Sequence, residues 1–193
     1  MQQESNSTRV PIKHFRTAAL LSFAVATAYA QPGPVQMTLS GTAAASTISL
    51  RPGAPTSEYQ LAGSGTLGKF DLRVVSVSIP SPQPPSTCSG PTKVYGAAVG
   101  GGGVFRFDNG DLLQVNLTGG SDCIDFAVGR ALCIRVFQIT GGTGRFDTAS
   151  GNITLTMVVT PAVGDASNTP VLFTVTANIA GDVPRAGSQQ GQQ

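Results

Sequence analysis

The stretches ITLTMVVT (residues 153–160) and VLFTVTANI (residues 171–179) decide the fold. In the first, Ile153, Leu155, Met157 and Val159 alternate with Thr154, Thr156, Val158 and Thr160. In the second, Val171, Phe173, Val175, Ala177 and Ile179 alternate with Leu172, Thr174, Thr176 and Asn178. Side chains of a strand point to opposite faces in turn, so a period of two buries one face and wets the other. Outward from there, residues 35–39 alternate in the same way. Strand-like runs also occupy residues 47–50, 59–62, 70–79, 93–99, 104–107, 112–117 and 132–140. Proline- and glycine-rich stretches at 51–56, 80–91 and 100–103 separate them, and no window carries a helical period. The 193 residues are 40% hydrophobic and only 11% charged, which excludes disorder driven by charge repulsion. One all-β domain, a barrel or a sandwich, is expected.

Two hairpins can be read to their register. Asp108-Asn109-Gly110 separates two apolar runs. A three-residue loop with Gly110 left-handed pairs Phe107 with Asp111 and Phe105 with Leu113. It keeps Phe105, Phe107, Leu113, Val115 and Leu117 on one face, whereas a two-residue turn would set Phe105 against Gln114. The same logic at Ala127-Val128-Gly129 pairs Phe126 with Arg130 and sets Cys123 opposite Cys133. That is a non-hydrogen-bonded pair with Cα atoms ~4.5 Å apart, within reach of a bridge. A Cys123–Cys133 disulfide with Cys88 free is expected, and Cys88–Cys123 is the alternative.

The N-terminus reads as a secretory signal. Arg9, Lys13 and Arg16 precede the uncharged run TAALLSFAVAT at 17–27, and Ala28-Tyr29-Ala30 places small residues at a cleavage site. The expected division is a signal at 1–30 cleaved before Gln31, a barrel domain at 31–185 and a disordered Gly/Ser/Gln-rich tail at 186–193. The expected location is secreted or periplasmic. The apolar run falls short of the ~20 residues that span a bilayer, so no membrane anchor is expected. Removing residues 1–30 leaves nine basic and nine acidic residues. A chain of zero formal charge exerts no long-range pull on nucleic acid or anionic lipid, and neither is expected as a partner.

The single histidine, His14, leaves with the signal. That excludes Ser-His and Cys-His nucleophile pairs, a histidine base and histidine metal sites. Asp108, Asp111, Asp122 and Asp125 lie near turns but lack the alternating pattern of a calcium loop, so they read as turn-capping carboxylates. Gly63-Ser64-Gly65-Thr66-Leu67-Gly68 precedes a strand instead of a helix and is no dinucleotide site. No metal and no cofactor are expected.

The most specific segment is ITGGTGRFDTASG, residues 139–151. Its Gly141, Gly142, Thr143, Gly144, Phe146, Ala149 and Gly151 resemble the Gly-Gly-Ser/Thr-Gly-x-Phe-x-x-Ala/Val-x-Gly signature of the allene oxide cyclase and dirigent superfamily. Small secreted bacterial proteins with that barrel carry a similar GGTGRF. GTLGKF at 65–70 and FDNGDL at 107–112 resemble two further motifs of that group, in the same order. The resemblance spans residues 63–181 and implies an antiparallel eight-stranded β-barrel, often a homotrimer. It does not carry catalysis, because the two positions that are arginine in plant dirigent proteins are Asp147 and Ser150 here. The segment reads as structural. Its glycines supply positive φ and close backbone approach, Arg145 stands free of the turn, and Phe146 plugs the barrel end.

Arg106, Arg135 and Arg145 lie in or beside strands, where a barrel interior could use them to hold a ligand carboxylate. Exposure to solvent or pairing with aspartate is the plainer reading. Tyr95 joins Arg106 and Arg135 as a candidate ligand contact. With Tyr59 it is one of only two tyrosines after the signal, too few for a sugar-stacking platform. The expected function is that of an exported, non-catalytic barrel that binds a small apolar ligand or serves as a structural surface component. The alternative is a cyclase- or isomerase-like enzyme that guides a reactive intermediate inside the barrel.

Overall fold

Each alternating run becomes a strand, and the strands close on themselves. The computed structural model describes residues 33–164 and 170–183, so the expected signal at 1–30 and tail at 186–193 lie outside the described residues. Eight strands follow one another: β1 (Gly33–Ala45), β2 (Thr56–Gly65), β3 (Gly68–Pro80), β4 (Lys93–Phe107), β5 (Leu112–Asp125), β6 (Arg130–Gly142), β7 (Asn152–Gly164) and β8 (Pro170–Val183). Every neighbouring pair is antiparallel, and β1 pairs with β8, which makes a closed up-and-down barrel with no free sheet edge. The inward residues form one core. Val35, Met37 and Leu39 of β1 meet Ile153, Leu155 and Met157 of β7 and Val175, Ala177 and Ile179 of β8. Burying one such Val, Leu, Ile or Met side chain stabilises the fold by roughly 1.5–3 kcal/mol.

Two stretches depart from the sequence expectation. Residues 47–50 form no strand. Their backbone bonds locally, Ile48 N donating to Ser46 Oγ and Leu50 N to Thr56 Oγ1, which competes with a ladder. Residues 100–103 do not separate two strands but run through the middle of β4. Gly101 has φ +137°, and a Cβ there would lie 2.1 Å from the Val75 carbonyl oxygen. The glycine run marks a close approach of β4 to β3.

The hairpin at 108–110 takes the three-residue loop, with Gly110 at φ +88° and Phe105 paired with Leu113. The hairpin at 127–129 corrects the expected register. Gly129 is left-handed at φ +59°, but the loop holds four residues and Asp125 pairs with Arg130. The cause is local. Asp125 Oδ1 accepts from Ala127 N, and Phe126 N turns away to donate to Thr92 O. A second cause lies upstream, where a bulge between Leu117 and Gly119 switches the inward parity of β5. Leu113, Val115 and Leu117 face in before it and Asp122 faces in after it. Cys123 therefore points outward and Cys133 inward. The disulfide is Cys88–Cys123, not Cys123–Cys133, and the free thiol is the buried Cys133.

One end of the barrel is filled. The rings of Phe70, Phe105 and Phe107 pack with centroids 5.3–6.3 Å apart, and Phe146 lies 4.7 Å from Phe107. Phe146 arrives there on a single 3₁₀ turn, Gly144–Phe146, that begins with Gly144 at φ +57°. Arg145 is not free of this turn. It donates from Nη2 to Leu67 O at 2.6 Å, pairs with Asp111 at 3.4 Å and covers the rings of Phe107 and Phe146.

Candidate functional site at the open end

The opposite end is hollow. There the inward positions carry small residues, Ala43 on β1 and Ala131 on β6, which leave a cavity of about 320 Å³. Pro55, Ile124, Val159 and Phe173 complete its wall, and Tyr59, Asp122 and Cys133 line it more deeply. Parity explains the depth. Ala131, Cys133, Arg135, Phe137 and Ile139 follow one another along the inner face of β6 from mouth to plug. Arg135, 1% exposed, is thus the charge beneath the cavity.

Arg135 is held from four sides. Nε donates to Ser76 Oγ at 3.2 Å and Nη2 to the Tyr59 hydroxyl at 3.3 Å. Nη1 donates to the carbonyls of Ile134 at 2.9 Å and Ser121 at 3.2 Å. Asp122 Oδ1 lies 2.7 Å from Nη1. Both hydrogens of that nitrogen are committed to the carbonyls, so the contact is an ion pair without a hydrogen bond, and Oδ1 accepts none. Asp122 Oδ2 accepts from Ser78 Oγ. A buried guanidinium needs such saturation, because a lone charge in a barrel core would cost several kcal/mol.

The other titratable groups here are held protonated. Burial pushes the Tyr59 hydroxyl above its ordinary range, against the opposing pull of Arg135. Burial also pushes the Cys133 thiol far up, and the nearby Asp122 charge adds to it. Neither is a nucleophile or base near neutrality. Among the described residues no cluster of His, Cys, Asp and Glu is suited to a metal ion.

The three residues singled out as ligand contacts do not meet. Only Arg135 is inside. Arg106 stands between the inward Phe105 and Phe107, on the outer wall, opposite Asp71 of β3. Tyr95 pairs with the outward Cys123 and shares its outer face. Of the groups around Arg135, Ser76 carries no signal in the sequence reading, while Asp122 is expected there to cap a turn and Cys133 to form a disulfide; the structure gives both to the barrel interior instead. A larger groove of about 680 Å³ runs over the outside of β1–β4 past Gln60, Asp71, Arg73 and Arg106, and it is as open to solvent as the mouth cavity. A scan against protein-family models and a search of characterised proteins both find no match to the chain.

Proposed function

We propose that the protein is a non-catalytic barrel that takes a small apolar ligand into its mouth. The carrying observation is the cavity of about 320 Å³, lined mainly by apolar side chains with Thr56 and Ser57 among them, above a guanidinium already bonded to Ser76 and Tyr59. That volume falls at the lower end of small-molecule pockets, ~300–1,000 Å³, and suits a compact hydrocarbon skeleton with one polar group. The chemistry below the cavity favours binding over reaction. Tyr59 and Cys133 stay protonated, and Arg135 spends four of its five donors on protein acceptors. The disulfide Cys88–Cys123 is compatible with the oxidising compartment that the N-terminal signal implies. The eight-stranded barrel and the turn at 141–146 support a place among the allene oxide cyclase and dirigent-like barrels, with assembly into trimers as the accompanying proposal.

Fluorescence titration with 1-aminoanthracene, which is dim in water and bright in apolar surroundings, tests the reading. Saturable enhancement is expected for the wild type. Ala131→Phe, placed to fill the cavity from its rim, should abolish the enhancement while leaving the melting temperature near that of wild type. Equal uptake by Ala131→Phe would place the probe elsewhere and overturn the reading.

A further inference from the structure

We propose that the open end of the barrel docks on an anionic lipid surface, with the β5–β6 turn as its anchor. The inference rests on the mouth reading for its purpose, the transfer of an apolar ligand between lipid and cavity, but on other residues for its mechanism. Phe126 and Val128 stand at the tip of that turn, 69% and 59% exposed, and no large apolar side chain among the described residues is more exposed. Exposed apolar residues of this size are absent from the described plug-end turns at 66–67, 108–110 and 143–151. The rim next to the turn is apolar too. Val94 of β4 pairs with Ile124 of β5 at the rim, and Ile124 lines the cavity itself. An isolated exposed valine would need no explanation, but an aromatic and an aliphatic tip beside an apolar rim does.

The charges around the tip decide the occupant. Lys93, Asp125 and Arg130 lie abreast across β4, β5 and β6. The carboxylate between the two cations accepts from Thr92 Oγ1 and Ala127 N and keeps its charge, while Lys93 Nζ donates to Thr87 O. The tip therefore projects apolar side chains from a collar in which two cations outweigh the one carboxylate between them. Lipid phosphates complement that collar while acyl chains take Phe126 and Val128. A second copy meeting the first tip to tip would set cation against cation. The zero formal charge of residues 31–193 hides this arrangement, because opposite charges cancel in a sum whatever their placement. The proposal departs here from the expectation drawn from net charge alone.

Vesicle flotation tests the proposal on the chain as isolated after export, its start read by intact mass. The wild type should float with vesicles of equal parts phosphatidylcholine and phosphatidylglycerol, and more weakly with phosphatidylcholine alone. Phe126→Ser/Val128→Ser should lower partitioning on the order of tenfold or more, because the side chains that enter the acyl region are gone. Lys93→Gln/Arg130→Gln should remove the preference for phosphatidylglycerol. Equal partitioning of wild type and Phe126→Ser/Val128→Ser overturns the proposal, as does a failure to float with either vesicle. So does a vesicle-free dimer in sedimentation equilibrium that the tip substitutions dissociate, since the occupant is then a second copy. Ala131→Phe separates the two readings. It should float normally while taking up no 1-aminoanthracene. A wild type that floats through its tip yet never brightens the probe defeats the mouth reading and leaves the docking standing.

Discussion

The two ends of the barrel solve opposite problems. At the plug end, four phenylalanine rings and Leu67 fill the interior, and the turn that delivers Phe146 leaves it fully buried. At the mouth, alanines take the wall positions, space is left over, and the deepest residue is a charge instead of a ring. The same strands serve both ends. β6 carries Ile139 and Phe137 toward the plug, then Arg135, Cys133 and Ala131 toward the mouth. Side-chain volume falls from Arg135 through Cys133 to Ala131 along this inner face, so one closed sheet holds a packed core and an open cavity without any change of topology. Cohesion belongs to the plug end and recognition to the mouth.

Substitutions that remove one support from each end should break the comparison most sharply. Phe146→Ala deletes a ring with no exposed surface and should cost about 3–5 kcal/mol in urea unfolding. A cost below ~1 kcal/mol would mean that the plug does not hold the barrel together. Arg135→Met should cost a similar ~3–5 kcal/mol for a different reason, since it strands the buried Asp122 without its countercharge. The difference between the ends then lies in rescue. Adding Asp122→Asn to Arg135→Met should recover most of the loss, because the uncompensated charge disappears. No second substitution of a charged residue should recover Phe146→Ala. If Arg135→Met is as stable as wild type, the polar floor is dispensable and the mouth owes its shape to the alanines alone.

The contrast between the ends was unevenly legible in the sequence. Alternation at 153–160 and 171–179 announced strands because one face of each is apolar throughout. The hairpin at 108–110 was readable because only one register keeps Phe105 and Leu113 on the same face. The mouth was harder. Its inner face on β5 begins after a bulge within 117–119, where Gly119 and Gly120 have no side chain to mark which face they belong to. Asp122 could not be placed inside without that shift, and the disulfide was assigned to the wrong partner for the same reason. Arg135 was legible in principle. Cys133, Phe137 and Ile139 share its parity and must face in, while Arg106 lies between Phe105 and Phe107 and must face out. The arginines are not equivalent, because the period that marks their strands sets Arg135 inside and Arg106 outside.

Arg145 offers the finest test of where the plug ends. Three contacts fix it: the bond to Leu67 O, the pair with Asp111, and its cover over the rings of Phe107 and Phe146 at 4.8 and 4.7 Å. Its side chain is nevertheless 42% exposed, so water screens both the ion pair and the cation–π contact. An exposed cation–π contact is worth ~0.5–1 kcal/mol and a surface pair ~0–1 kcal/mol, and neither adds fully to the other on one guanidinium. Arg145→Ala should therefore cost about 1 kcal/mol, well below Phe146→Ala. Arg145→Lys should recover only part of it, because an ammonium cannot lie flat on two rings while reaching a carbonyl. Thermal melts of the three variants give the order. If Arg145→Ala falls as far as Phe146→Ala, the guanidinium is a structural layer of the plug, and the boundary between packed core and surface moves outward to include it.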